Sequence, residues 1–378
     1  MSLHEAGKGP EPIFIQRGHF VTQNPYEKLK ANAFWRSGVA EPGLNNLAAL
    51  HIPKFPLTKR QTILTLGSCF AQHIGRALQR NAFQWKDAEP VPGPEQTKRE
   101  YGYGLFSFRV GNVYTFRMLR QWLSWALVDE TLPEEIWEKN GRFFDPLRPN
   151  IEPEGFSKTS ELVDARLVTK SAMKRAFAEA DIFVFTLGLT ECWVNAKSDF
   201  EYAACPGTIA GHFNPQDHHF VNQNYTMISE DLDFVIRLLK DINPDLKIIL
   251  TVSPVPLTAT ASGQHVLVAT TYSKSVLRAV AGDASQRWQH VDYFPSYEIV
   301  TAPAYEGRFF AANKRSVLEE GVSFVMKHFF KSYARRHQYV GPVPNIETAT
   351  HFEPDQTADQ DIVCEEEILA AFGPETAK

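Results

Sequence analysis

The chain has 378 residues, of which 43% are hydrophobic and 22% charged, and its formal net charge is −5. This composition is typical of a folded protein with a substantial core, and it excludes an intrinsically disordered chain. A chain without excess basic charge is not expected to bind nucleic acid or an anionic membrane surface. No apolar run approaches the roughly 20 residues that a membrane-spanning helix needs.

The cysteines and histidines indicate neither a disulfide framework nor a metal site. The four cysteines are Cys69, Cys192, Cys205 and Cys364, and no pair has the spacing of a zinc or redox motif. The first residues, "MSLHEAGKGPEP", lack the apolar core of a signal peptide, which predicts a cytoplasmic protein with reduced thiols. We therefore expect no metal, no cofactor and no membrane partner. The sequence makes no prediction of the oligomeric state.

Composition divides the chain into three predicted parts. Residues 1–58 are rich in turns and aromatic residues and predict an extended arm that packs on the domain through Phe34 and Trp35. Residues 59–338 carry the regular patterns of a domain, with a proline-rich, irregular insertion at 133–158. Residues 339–378 form an acidic tail in which "CEEEILAAF" predicts a short closing helix.

Helix and strand patterns alternate through the predicted domain. Apolar strands are predicted at residues 63–66, 181–188, 247–253 and 290–294. Amphipathic helices are predicted at residues 70–82, 113–127, 160–180, 229–244, 272–282 and 316–337, with Ser229 as the cap of the fourth. Continuous apolar strands suit a parallel sheet that is covered on both faces. The pattern predicts an α/β protein, a three-layer α/β/α sandwich with a mainly parallel sheet of flavodoxin-like type.

Reactive side chains follow the predicted strands at the edge where ligands bind in such sheets. The first strand ends at Gly67-Ser68-Cys69, where a thiol would lie near the unpaired N–H groups and the positive end of a helix. Such a position lowers the pKa of a thiol and favours an oxyanion. The alternative is that Ser68 caps the helix and Cys69 packs in the core. The residues alone leave both interpretations open.

Five segments resemble the GSCFA family, which is named after the letters Gly-Ser-Cys-Phe-Ala. These are "LTLGSCFAQHIGRAL", "GNVYTFRMLRQ", "FTLGLTECW", "LTVSPVPL" and "YFPSYEIV", in that order, over roughly residues 60–330. The GSCFA family is in turn similar to SGNH/GDSL hydrolases, three-layer enzymes that act on acyl esters. The resemblance therefore implies the same fold and a nucleophile at the end of the first strand.

The similarity to SGNH enzymes implies roles for particular residues. Cys69 takes the position of the nucleophilic serine and Ser68 that of the neighbouring aspartate, so Cys69 is the predicted nucleophile and Ser68 the alternative. The implied oxyanion and substrate-binding residues are Gly67, Gly111, Asn112, Gly188 and Thr190, with Thr190 in place of an asparagine. Glu191 is implied to orient a histidine or to bind substrate, and its alternative is a cap of the next turn.

The general base is missing from its usual place. SGNH enzymes carry Asp-x-x-His before the last helix, but here these positions are Asn313 and Ser316. The predicted substitutes are His218 and His212, in a histidine-rich loop that also contains His219 and Asp217, the last of which could orient a ring. His73, one helical turn after Cys69, is the third candidate.

These residues together predict acyl transfer through a thioester. The resemblance implies an acyl-ester hydrolase or O-acyltransferase that acts on a carbohydrate or polysaccharide-related substrate. Acyl-coenzyme A is a possible donor, although the chain has no glycine-rich phosphate loop. The alternative is a catalytically degenerate binding protein on the same fold. A dinucleotide-dependent enzyme is not expected, because Gly-Ser-Cys-Phe-Ala replaces Gly-x-Gly-x-x-Gly.

Overall fold

A computed structural model describes residues 24–42, 49–90, 100–334 and 365–373. The chain forms two compact units, residues 1–48 and 49–378. The described part of the first unit consists of three short helical segments, Pro25–Lys28, Ala31–Ala33 and Arg36–Ala40. Residues 49–58 belong to the second unit, where Phe55 and Leu57 are buried. The packing of Phe34 and Trp35 on the domain stays a prediction. Residues 1–23 and 43–48 of the predicted arm lie outside the described residues.

The second unit is built on a five-stranded parallel sheet. The strands of the described chain are β1 (Thr62–Gly67), β2 (Gln84–Trp85), β3 (Trp137–Lys139), β4 (Arg142–Phe144), β5 (Ile182–Leu187), β6 (Glu191–Asn195), β7 (Glu201–Tyr202), β8 (His218–Asn222), β9 (Lys247–Val252) and β10 (Val291–Tyr293). The main sheet has the order β10-β9-β5-β1-β2, with all neighbours parallel. This is the flavodoxin-like order. The order in which successive strands are added to the sheet reverses between β1 and β5.

Helices cover the sheet and leave its central strands buried. They are α1 (Phe70–Arg80), α2 (Phe116–Leu127), α3 (Thr159–Glu179), α4 (Tyr225–Ile242), α5 (Val266–Arg287), α6 (Ser296–Thr301) and α7 (Glu319–Ala334). Helices α3, α2, α4 and α5 contact one another in that order, and α1 contacts α7. Right-handed crossovers place these two groups on opposite faces. The predicted α/β sandwich is confirmed, and none of the helices described is long and apolar enough to span a bilayer.

Two smaller β elements escaped the sequence analysis. The irregular insertion at 133–158 contains the antiparallel pair β3–β4. The predicted histidine-rich loop is partly wrong, because its residues His218–Asn222 form β8 and pair with β6 in a three-stranded antiparallel sheet of order β7-β6-β8. The predicted cap Ser229 is also wrong: α4 begins at Tyr225, and the Asn224 Oδ1 accepts the Met227 N–H at 3.0 Å.

A buried ion-pair network connects the insertion to α3 and to the segment that precedes Gly111. The Arg148 Nε donates to the Asp145 Oδ2 at 2.9 Å, and the Arg166 Nη2 donates to the Asp145 Oδ1 at 2.8 Å. The Arg148 Nη1 also donates to the Arg109 carbonyl at 2.7 Å and to the Thr169 hydroxyl. Burial disfavours the charged carboxyl, but the two guanidinium groups outweigh it and hold the pKa of Asp145 below its usual value. The network fixes the chain just before Gly111 and Asn112.

Removing the shared carboxylate tests how much this network stabilises the fold. We expect Asp145→Ala to lower the free energy of unfolding by about 3–5 kcal/mol, since it leaves two buried guanidinium groups without their partner. Asp129→Ala is the matched control, because Asp129 pairs with Lys170 and Lys174 at the surface and the loss of an exposed ion pair should cost much less than the loss of a buried one. Urea denaturation measures both, and equal costs for the two variants would contradict the expectation.

Candidate active site

The site begins with a close approach of two backbones at Gly67. Gly67 has a φ of +135°, and a Cβ placed on it would lie 2.3 Å from the Thr186 carbonyl oxygen of β5. No side chain fits in that space, so the position requires glycine. The next residue continues the contact, with the Ser68 N–H donating to the Thr186 carbonyl at 3.0 Å. The corner therefore lies at the point where the sheet order reverses, which is where open α/β sheets bind ligands.

Backbone hydrogen bonds join this corner to two other predicted segments. The Val113 N–H donates to the Gly67 carbonyl at 2.9 Å, and the Gly188 N–H donates to the Tyr114 carbonyl at 2.9 Å. A Cβ on Gly188 would lie 3.1 Å from the Ser68 Cβ. The structure thus brings together the three sequence segments that were predicted to meet, at residues 67–69, 111–112 and 188–190.

Cys69 is the N-cap residue of α1, and its side chain makes no capping hydrogen bond. Its thiol is not part of a disulfide, and the residue is 6% exposed. Ser68 is 2% exposed, and its hydroxyl has no hydrogen-bond partner in the described structure, so it does not cap the helix. Of the two, Cys69 occupies the position that meets the positive end of α1.

One predicted side-chain donor of the anion site, the Thr190 hydroxyl, is occupied by a protein partner. The Thr190 hydroxyl donates to the Asn222 Oδ1 at 2.6 Å, so its proton does not point to an oxyanion. Asn112 is buried beside Gln72, whose Nε2 lies 3.5 Å from the Asn112 Oδ1. Backbone N–H groups at the start of α1 are therefore the better candidates for holding an oxyanion in this arrangement.

Helix α5 contributes two buried residues that the sequence analysis missed. The Ser273 hydroxyl accepts the Thr190 N–H at 3.0 Å, and the Lys274 Nζ donates to the Gly188 carbonyl at 2.5 Å. Lys274 is 2% exposed, which is rare for a lysine, and its hydrogen bond to the Gly188 carbonyl ties α5 to the Gly188 loop. The helix was predicted, but no pattern in "TTYSKSV" marks its serine and lysine as buried.

His218 lies on a hairpin strand, at the end away from this corner. Strand β8 pairs with β6 so that Asn222 is opposite Glu191 and His218 is opposite Asn195. The rise of a strand puts His218 about 13 Å along β8 from Asn222, which contacts Thr190 beside the corner. His212 precedes β8 in the chain.

The partners of His218 and Asp217 are local. The His218 Nδ1 accepts the Asn214 N–H at 3.0 Å, and its ring packs against Tyr202. The Asp217 carboxylate pairs with the Lys197 Nζ at 2.9 Å and accepts the Asn214 amide at 2.6 Å. Asp217 is thus committed to Lys197 and Asn214. The role of His218 or His212 as general base stays a prediction.

His73 belongs to a different environment. It lies between α1 and α7 in a small cleft that Arg76, Arg80 and Met326 also line. Burial, followed by the charges of Arg76 and Arg80, lowers the pKa of His73 to about 3. A histidine held neutral in this way packs on Phe70, with ring centroids 5.5 Å apart, and is a poor proton acceptor.

The residues at the usual Asp-x-x-His positions form a tight turn. The Asn313 Oδ1 accepts the backbone N–H groups of Arg315 and Ser316, each at 3.0 Å, and the Asn313 Nδ2 donates to the Ser316 hydroxyl at 2.9 Å. The hydrogen bonds keep the shape of the turn without a titratable pair. Arg315 pairs with Glu366 at 3.3 Å, so the turn also holds the described C-terminal helical segment Glu365–Phe372. That short helix confirms the prediction for "CEEEILAAF".

A Ser-His-Asp connection exists elsewhere in the molecule. The His51 Nδ1 lies 3.0 Å from the Ser332 hydroxyl, and its Nε2 lies 3.2 Å from the Asp292 Oδ2. The Tyr333 hydroxyl also donates to Asp292 at 3.1 Å. The side chains of His51 and Asp292 are only 7% and 5% exposed, and none of these residues lines the cavity past the carboxyl ends of β5 and β9. We assign this connection to the attachment of residues 49–57 rather than to catalysis.

A cavity of about 540 Å³ opens past the carboxyl ends of β5 and β9, and its described lining residues do not include Gly67, Ser68 or Cys69. Tyr114 lines it and also packs on Gly188, which links the cavity to the Ser68 side of the site. The β6–β8 sheet forms one wall, residues 257–261 form a second, and residues 366–373 form a third. Its size is in the range of small-molecule sites. Among the described residues, no group of three His, Cys, Asp or Glu side chains could hold a metal ion.

The chain belongs to the GSCFA family. The GSCFA family model matches residues 62–329, which include every segment of the corner and its loops. No curated protein matches the chain.

Solved structures resemble this GSCFA protein weakly. One is a carbohydrate esterase family 3 from Talaromyces cellulolyticus, with 10% identity and a TM-score of 0.31. Another is a mutant of an acetyl esterase with acetate ion, with 11% identity and a TM-score of 0.28. Each comparison covers 73% of this chain and 97% of the other.

A buried carboxyl, Glu201, fastens the antiparallel sheet to α2 behind the cavity. Both of its oxygens accept the Thr115 hydroxyl, at 2.7 and 2.8 Å, and the Gln223 Nε2 lies 3.3 Å away. Burial raises the pKa of Glu201 to about 7, and it raises the pKa of the neighbouring Cys192 thiol as well. The sequence does not mark Glu201 as a functional residue, because "FEYAAC" has the pattern of an ordinary short strand.

Glu201 should make stability fall as the pH rises. Its ordinary pKa is 4.5, so between about pH 4.5 and 7 the folded chain holds a proton that the unfolded chain has lost. We expect the free energy of unfolding to fall by up to ~3 kcal/mol across this window. Glu201→Gln should remove that fall, as measured by urea denaturation at several pH values. This assignment would be wrong if the difference in the free energy of unfolding between wild type and Glu201→Gln did not change with pH.

Proposed function

We propose that this GSCFA protein is an acyl-ester hydrolase or O-acyltransferase in which Cys69 is the nucleophile and Ser68 the alternative. The observation that supports the proposal is the corner at Gly67, where Cys69 is the N-cap residue of α1 and the two residues before it, Gly67 and Ser68, contact the 111–114 and 188–190 segments. A thiolate at a helix N-terminus needs little further activation, because the helix stabilises its negative charge.

The proposed reaction has two steps. The Cys69 sulfur attacks the ester carbonyl carbon, the C–O bond to the alcohol breaks, and the alcohol leaves with a proton, which forms a thioester. Water or a second hydroxyl then attacks the thioester carbonyl and returns the sulfur as a thiol. The oxyanion of each step would be held by backbone N–H groups of α1. His218 and His212 stay the candidate proton carriers.

The chemistry of the cavity bears on the acyl donor. The described lining residues include Glu191, whose carboxylate pairs with no cation of the described chain, and no lysine, arginine or histidine. Polyanionic groups such as the phosphates of coenzyme A are disfavoured beside such a surface. We therefore favour an uncharged ester, including the ester of a carbohydrate, over acyl-coenzyme A.

The second candidate function is binding without catalysis. It is favoured by the Asn313–Ser316 turn, which lacks a titratable pair, and by the position of His218 at the far end of the hairpin. Both features remove the proton carrier that ester hydrolysis normally uses.

Intact-mass detection of an acyl adduct separates these functions. We expect wild type and Ser68→Ala to gain one acetyl group from p-nitrophenyl acetate, and Cys69→Ala to gain none. Cys205→Ala is the matched thiol control, because Cys205 lines the cavity but burial raises its pKa to about 11. It should acetylate like wild type.

Three results would count against the proposal. An adduct that survives in Cys69→Ala would remove Cys69 as nucleophile. An adduct lost only in Ser68→Ala would assign the role to Ser68. The absence of any adduct on the folded wild-type protein would favour the binding function.

A further inference from the structure

The face of the β6–β8 sheet that forms the cavity wall carries one carboxylate among aromatic rings. Side chains alternate along β6, so Glu191 and Trp193 lie on one face and Cys192 and Val194 on the other. Cys192 and Val194 are buried, whereas Glu191 and Trp193 are partly exposed. Glu191 and Trp193 are therefore the partly exposed β6 residues of the cavity lining, which also includes the buried Cys192.

Neutral donors fix the Glu191 carboxylate. Its Oε1 accepts the Thr260 hydroxyl at 2.5 Å, and its Oε2 accepts the Ala261 N–H at 3.3 Å. Partial burial raises its pKa, and no cation of the described chain contributes to that shift or pairs with it. The protein thus orients this carboxylate and leaves its charge uncompensated.

The other acids of the cavity lining differ from Glu191. Glu201 is opposite Val194 in the β6–β7 pair, so its side chain lies on the far face, where it accepts from Thr115. Glu366 pairs with Arg315. Glu191 is therefore the carboxylate available to a ligand among the described lining residues.

Aromatic residues share this face of the sheet with Glu191, since Trp193 is two residues along β6. The Trp193 ring lies 5.6 Å from the Phe220 ring, and Tyr202 is directly opposite Trp193 on β7. The faces of such rings attract cations, and tryptophan does so most strongly. A site with aromatic rings and an unneutralised carboxylate favours the binding of an organic cation over that of an anion.

We propose that the cavity binds an organic ammonium ligand, with the ammonium group at Glu191 and the apolar body against Trp193 and Phe220. The volume of about 540 Å³ accommodates a ligand of this kind with room for a second substituent. The proposal concerns binding alone and does not require Cys69 to be reactive, so it survives or fails independently of the acyl chemistry.

Three ligands with the same skeleton test the proposal. Phenethylammonium, phenethyl alcohol and phenylacetate differ mainly in charge, and isothermal titration calorimetry measures their dissociation constants on the full chain at neutral pH. We expect the ammonium to bind at least about tenfold more tightly than the alcohol, and the carboxylate to bind most weakly. In Glu191→Gln the ammonium should bind no better than the alcohol.

Two further variants complete the experiment. Glu179→Gln makes the same chemical change on an exposed residue of α3 and should leave all three affinities unchanged. Trp193→Leu should weaken the ammonium and the alcohol together. Equal binding of ammonium and alcohol by wild type, an unchanged preference in a folded Glu191→Gln, or no binding of phenethylammonium at about 10 mM would each overturn the proposal.

Discussion

The site depends on one close contact between two strands. Gly67 has no side chain, and the Thr186 backbone occupies the space where one would be. Because β1 and β5 approach so closely at their carboxyl ends, the chain after Gly67 turns at once into α1 and places Ser68 beside Gly188. The nucleophile candidate, the loop beside Ser68 and the start of the helix are consequences of that contact.

Buried polar groups then hold the loops around the corner. The Asp145 network fixes the chain at Arg109, two residues before Gly111, and Lys274 with Ser273 fixes residues 188–190 from the other side. Such groups are costly to bury unless their hydrogen bonds are made, so they favour one arrangement of the loops over others. The Asn313–Ser316 turn differs, because it is largely exposed and its shape is kept by local hydrogen bonds.

The sequence was sufficient for the parts of the fold that a local pattern encodes. Four strands of the main sheet were predicted because they are continuous apolar runs, and β2 was missed because only two of its residues pair. The β6–β8 sheet was missed because its strands are stabilised by partners distant in sequence rather than by their own composition. The start of α4 was placed too late because its first turn, after Asn224, is polar and exposed.

In the candidate site, too, only the residues that a local sequence pattern marks were predictable. Gly67, Cys69, Asn112 and Gly188 were expected at one edge because the motif and the rule for parallel sheets both point there, and backbone hydrogen bonds join their segments; their roles stay predictions. Lys274 and Glu201 were not, because burial of a charged side chain depends on tertiary contacts that no short segment specifies. The position of His218 was likewise decided by strand register, which the spacing of "HHFVNQN" does not reveal.

The central claim is that the β1–α1 corner makes the Cys69 sulfur a reactive thiolate. The reactivity of this sulfur is measured most directly as the rate at which iodoacetamide alkylates Cys69 at different pH values. Peptide mass spectrometry monitors the alkylation. We expect the alkylation rate to rise with pH and to reach half its maximum below the pKa of about 8.5 of a free cysteine thiol. A midpoint at or above that value, with alkylation no faster than that of a model thiol, would contradict it.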